Sequence, residues 1–106
     1  MVPSLTDVFG PGASQTATTV TVAKTDFPTL TPTSDNNGQE LFVGIILQAI
    51  KKLNPTARGT DPDIKIEITY TGQAVYPGPD KNDRQDSYTI VLHKDVPQEM
   101  VDADDY

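Results

Sequence analysis

The sequence has no cysteine and no tryptophan, and it has one histidine among 106 residues. Without cysteine there is no disulfide, no thiolate nucleophile and no sulfur-ligated metal site. The single histidine, His93, gives a transition-metal site no companion imidazole, and the usual Ser-His and Cys-His nucleophilic arrangements lack partners. Strand alternation puts His93 on a polar face beside Thr89, where the plain expectation is a solvated side chain. Basic residues are scarce too: eight Lys and Arg stand against fifteen Asp and Glu, a formal net charge of −7. Only Lys51 and Lys52 are adjacent. An acidic surface repels nucleic-acid phosphate and anionic lipid, so neither nucleic acid nor membrane is expected as a partner. The longest apolar stretch, LFVGIILQAIKKL from Leu41 to Leu53, is too short to span a bilayer and is interrupted by Gly44 and Gln48. The opening MVPSLTDVFGPG has neither the basic start nor the apolar core of a secretory signal. A soluble protein is expected, with no compartment specified.

What is present fits one domain. Hydrophobic residues make up 36%, below the usual globular share, because Thr, Asn, Gln and Pro fill long stretches. The expected division is an extended N-terminal arm over residues 1–15, a single domain over 16–94 and an acidic tail over 95–106. In the arm, Pro3, Gly10, Pro11 and Gly12 argue against regular structure and separate an apolar patch of Leu5, Val8 and Phe9. That patch docks either on the chain's own core or on a neighbouring subunit.

Residues 16–24, TATTVTVAK, are rich in β-branched side chains and predict a strand with Val20 and Val22 on one face. Residues 25–36 are a Thr/Pro-rich connection anchored by Phe27 and Leu30. A helix begins at Asn37, which with Glu40 makes a capping pair, and runs to a stop at Asn54-Pro55. Lys51 and Lys52 then occupy its last turn. IKIEITY at 64–70 alternates cleanly, as does SYTIVLHK at 87–94, and the two predict an antiparallel hairpin. Ala74-Val75-Tyr76 extends the first of these past a bend at Gly72, and PGPDKND forms the turn. The tail DVPQEMVDADDY lacks periodicity, with Met100, Val101 and Tyr106 as its only anchors. The fold class is α+β: a small two-layer β-α-β-β sandwich with one helix on a three-stranded sheet.

The helix carries the functional information. At ~100° per residue, Glu40, Gly44, Gln48, Lys51 and Lys52 fall in a sector roughly 120° wide, leaving about 240° apolar. A helix lying on one sheet needs an apolar stripe of only about 100° or somewhat more. If the sheet takes Phe42, Ile45 and Ala49, the face around Val43, Leu47 and Ile50 is left over. Such a face is covered by a lid from the same chain or by another molecule. The expected interface residues are therefore Leu5, Val8 and Phe9 of the arm and Val43, Leu47 and Ile50 of the helix. The expected partner is the chain itself, as a homo-oligomer, or another protein.

Catalytic and cofactor chemistry finds little support. Asp80 to Asp86 has the acidic look of a calcium loop, but Arg84 and Gln85 stand where that loop needs an oxygen donor and a glycine. Asp102, Asp104 and Asp105 read as a solvated acidic end. PGPD has one glycine and FGPG sets proline between its two, so neither presents a run of backbone N–H groups to phosphate. No enzyme activity, cofactor or metal is expected. The expected function is a non-catalytic structural or self-assembling protein. The alternative is a small ligand- or peptide-binding adaptor using an edge strand or Tyr70, Tyr76 and Tyr88.

The opening LTDVFGPGASQTATTVTV, the helix ELFVGIIL and the ending DADDY together resemble a group of short uncharacterised cyanobacterial proteins. The FGPG-x-x-QTATT segment is the distinctive part. The resemblance implies no activity and no site residues; it implies that the arm and the acidic end belong to the protein's own design.

Overall fold

The computed structural model describes residues 1–94 and 101–106. Among these residues the chain is α+β, with short helices and two separate antiparallel hairpins. The expected single three-stranded sheet is corrected to two two-stranded ones. The arm is corrected as well, since it holds helix α1 at Leu5–Phe9. Ser4 nucleates it: the Ser4 hydroxyl accepts from the Asp7 N–H at 3.1 Å, and the Asp7 carboxylate accepts from the Ser4 N–H at 3.0 Å. This reciprocal box satisfies donors that a helix start leaves without partners. Helix α1 packs on the chain's own long helix.

The expected strand over 16–24 shrinks to β2, Val20–Thr21, paired with β1, Ser14–Gln15. Threonine hydroxyls explain the difference. Thr16 Oγ1 accepts from the N–H groups of Thr18 and Thr19 at 3.3 and 3.1 Å and meets Thr19 Oγ1 at 2.7 Å. The chain reverses there instead of extending, because the side chain supplies the acceptor that a neighbouring strand would otherwise provide. Val20 is left exposed.

A 3₁₀ turn at Lys24–Asp26 delivers Phe27, which is buried. Helix α2, Gly38–Ala49, starts as its sequence predicts: Asn37 Oδ1 accepts from the Glu40 N–H, and Glu40 accepts from the Asn37 N–H. It ends at Ala49 rather than Leu53, so Lys51 and Lys52 lie beyond it. Asn54 organises the next reversal of the chain. Its amide N–H groups donate to the carbonyls of Ile50 and Lys51, while its Oδ1 caps helix α3, Pro55–Thr60, by accepting from the Ala57 N–H at 2.8 Å. Asn54-Pro55 thus opens α3 while the Asn54 amide holds the turn that follows α2.

The hairpin of β3, Ile66–Tyr76, and β4, Asp83–Leu92, is the longest feature of the fold. Its register pairs Ile66 with Leu92, Ile68 with Ile90 and Tyr70 with Tyr88 on one face. The bend expected at Gly72 is a β-bulge: Tyr70 pairs with Tyr88 and Gly72 with Ser87, leaving Thr71 as the extra residue. Gly72 takes φ 156°, a conformation that side chains other than glycine rarely adopt. Beyond it Val75 returns to the face of Tyr70, opposite Arg84.

The core is small and lies at the base of this hairpin. Ala49, Leu53, Ile64 and Ile68 are buried together, with Val8, Ile46 and Ile50 packed around them. The radius of gyration is 16.2 Å, against about 13 Å for a compact domain of 100 residues. All of β4 is exposed to solvent.

Candidate functional site

Between helix α2 and the hairpin lies an open apolar groove of about 440 Å³. Phe42, Ile46 and Ala49 line it from the helix, Ile68, Ile90 and Leu92 from the hairpin, and Val8 and Phe9 from α1. A second hollow of about 550 Å³ shares Phe42 and Ile46 and reaches Tyr70, Arg84, Asp86 and Tyr88 farther along the hairpin.

The helix presents this surface for a reason that side-chain polarity alone conceals. Gly44 and Gln48, in the sector expected to face water, are buried. A Cβ on Gly44 would stand 2.9 Å from a Phe27 ring carbon and 3.0 Å from the Phe27 Cβ. The missing side chain is a socket for Phe27, so the polar-looking side turns inward. Phe42 and Val43 turn outward in consequence and are 63% and 53% exposed.

The expected interface residues divide accordingly. Val43 is exposed, Leu47 is half-buried, and Ile50 packs against the core. In the arm, Val8 also packs against the core, while Leu5 and Phe9 are half-buried. Residue-by-residue reading missed Phe42, Ile90 and Leu92. The signal was there for the strand pair, because a two-stranded ribbon with apolar side chains on one face has nothing on its flanks to hide them.

Polar groups close the distal end. Tyr70 and Tyr88 meet edge to face, with ring centroids 5.2 Å apart. The Tyr70 hydroxyl donates to Asp86 Oδ1 at 2.7 Å, and Arg84 donates to the same oxygen through Nη2 at 3.1 Å. The Tyr70 hydroxyl, then Arg84, hold the Asp86 carboxyl below its ordinary range. Asp86 in turn raises the Tyr70 phenol. On the opposite face, His93 is not simply solvated: its Nε2 lies 2.8 Å from a Glu67 carboxylate oxygen, and the pair is partly buried.

The tail falls partly outside the described residues, including Met100 among its expected anchors. Val101 is exposed, whereas Tyr106 lines the groove. Asp102 caps a 3₁₀ turn at Ala103–Asp105, and the Asp105 carbonyl accepts from Lys65 Nζ at 3.1 Å. Among the described residues no group of three or more His, Cys, Asp or Glu is placed to hold a metal ion. No helix among them is long and apolar enough to cross a membrane. Comparison of the chain with protein-family models, with curated proteins and with solved structures gave no match.

Proposed function

We propose that this is a non-catalytic structural protein that assembles with copies of itself through the groove between α2 and the β3–β4 hairpin. One observation carries the proposal: two apolar walls face each other and are left largely uncovered. Phe42 on one side, and Ile90 and Leu92 on the other, are between 39% and 63% exposed. Keeping such a side chain in water forgoes about 1.5–3 kcal/mol relative to full burial. Three half-covered residues therefore forgo several kcal/mol, a large part of the ~5–15 kcal/mol that holds a domain folded. Contiguous apolar surface of this kind marks an association site. Helix α1 serves its own chain, by packing on α2, so the helix face and the hairpin are the proposed contacts between subunits.

A second reading, an adaptor that holds an extended peptide, draws on the same groove and on the Tyr70–Tyr88 pair at its far end. Light scattering over about a hundredfold range of concentration separates the two by mass action. A mass that rises with concentration supports assembly. A strict monomer at the highest concentration rejects it and leaves the adaptor. Phe42→Asp tests the surface itself: the assembled mass falls while the circular dichroism and melting of the monomer stay unchanged, since that side chain is mostly in solvent.

A further inference from the structure

We infer that Asn37-Gly38 is a site of self-modification, a spontaneous deamidation that the cap of α2 holds off while the chain is folded. The inference does not depend on the assembling role proposed above.

The chemistry singles out one asparagine among Asn36, Asn37, Asn54 and Asn82. Deamidation begins when the backbone nitrogen of the following residue attacks the asparagine Cγ. The N–H proton is lost, a C–N bond forms, and Nδ2 leaves as ammonia, which closes a five-membered succinimide. Water then opens the ring. Opening at Cγ gives aspartate; opening at the main-chain carbonyl gives isoaspartate, whose backbone runs through Cβ and Cγ. One water enters for each ammonia that leaves, and nothing is oxidised or reduced. Asn54 precedes Pro55, whose nitrogen carries no proton to lose. Asn36 and Asn82 precede Asn37 and Asp83, whose side chains crowd the attack. Gly38 offers a nitrogen beside a carbon that bears no side chain. An added Cβ there would have no heavy atom within 4 Å, and both residues of the dipeptide are exposed to water. Gly38 is also the first residue of α2, so its N–H has no partner within the helix.

The fold opposes the first step. In the succinimide, Cβ and the Gly38 nitrogen are nearly eclipsed about the Cα–C bond. Asn37 stands at ψ 171°, which leaves them staggered. Closing the ring therefore rotates ψ, and that rotation swings the first turn of α2 relative to residue 37. Two bonds resist it: Asn37 Oδ1 accepts from the Glu40 N–H at 2.9 Å, and the Glu40 carboxylate accepts from the Asn37 N–H at 3.0 Å. Asn36 anchors the chain just before the cap, since its amide donates to the Thr31 carbonyl at 3.1 Å and accepts from the Thr33 N–H at 2.9 Å. The pair that starts α2 thus keeps the dipeptide in an unreactive conformation. Deamidation proceeds from the fraction of molecules in which the first turn has opened.

The two products part from there. Aspartate caps a helix as well as asparagine does, and it adds negative charge at the positive end of α2. Isoaspartate inserts a methylene into the main chain and takes the capping side chain away. Phe42 lies on the next turn, so this product loosens the start of the helix wall that carries it.

The test keeps the full chain in mildly alkaline buffer, with and without guanidinium chloride, and follows each asparagine by tandem mass spectrometry of its peptides. An isoaspartate-specific methyltransferase counts the second product. In denaturant, conversion falls on Asn37 ahead of Asn36, Asn54 and Asn82. In the folded chain the same conversion is at least about tenfold slower, the change in population that one cap represents. Glu40→Ala removes half of the cap, speeds conversion in buffer and leaves the rate in denaturant unchanged. Asn37→Asp, the first product, melts no lower than the wild type, which shows that the charge itself does no harm. Two results overturn the inference. Equal rates with and without denaturant show that the cap guards nothing. Conversion in denaturant that spares Asn37 shows that this dipeptide is not the site.

Discussion

Gly44 shows how one absent side chain decides which way a helix faces. Alanine is the better helix former by about 1 kcal/mol, so propensity alone favours Gly44→Ala. Overpacking against Phe27 costs about 1–3 kcal/mol and wins, because the nearest atoms include the Phe27 Cβ, which cannot swing aside. A net loss of up to about 2 kcal/mol is expected in urea unfolding. Gly59 in α3 has no heavy atom within 4 Å of the same added carbon, and there Gly59→Ala gains up to about 1 kcal/mol. Opposite signs for the two substitutions check the socket without reference to any partner. Asp86 offers a second check. Its carboxyl is held low in the folded chain, so its contribution to stability is present above the unfolded value of about 3.9 and is lost as pH falls through the lower folded one. Carbon-detected NMR titration places its midpoint below the ordinary carboxylate range, and Tyr70→Phe moves that midpoint up.

Among the elements, those defined by local chemistry were legible and those defined by competition were not. The Asn37–Glu40 pair announced α2, and alternation announced the hairpin and its bend, since each signal lies within a few residues. The reversal at Thr16–Thr19 was hidden because threonine favours strands through its branching and turns through its hydroxyl. Position in the sequence does not say which wins. Helix α1 was hidden by the prolines and glycines around it, although Ser4 and Asp7 stand at capping spacing. Helix α3 carried its own mark, Asn54 followed by Pro55 at the first helical position, which reads equally well as a stop for α2. Asn54→Ala should cost about 1–2 kcal/mol, at the upper end for a cap, because it removes both the cap of α3 and the bond to the Ile50 carbonyl just past α2. Thermal melting measures the cost, and amide exchange at Ala57 should quicken most.

For the molecule as a whole, the surplus of apolar surface was visible in the composition of one helix, but its direction was not. The expected face at Val43, Leu47 and Ile50 is rotated towards Phe42 by the Gly44 socket. The hairpin adds a second apolar wall that strand patterns assign to a core the small domain does not supply. Each copy carries a net charge of −7. The self-association proposed above would work against mutual repulsion, and added salt should strengthen it by shortening the Debye length from about 30 Å at 0.01 M to about 8 Å at 0.15 M. Sedimentation across that range reads the effect; a dimer that weakens with salt would show that ion pairs dominate instead. The insertion at Thr71 shapes the rim of the hairpin. Removing it would keep every neighbouring side chain on its present side, because the residues before and after already alternate as though it were missing. What would vanish is the local kink, and with it the break in the outer rim of β3. Near the core the Ile68 N–H would still be held by the Leu53 carbonyl, so losing one threonine would straighten the far half of that rim and leave its near half closed.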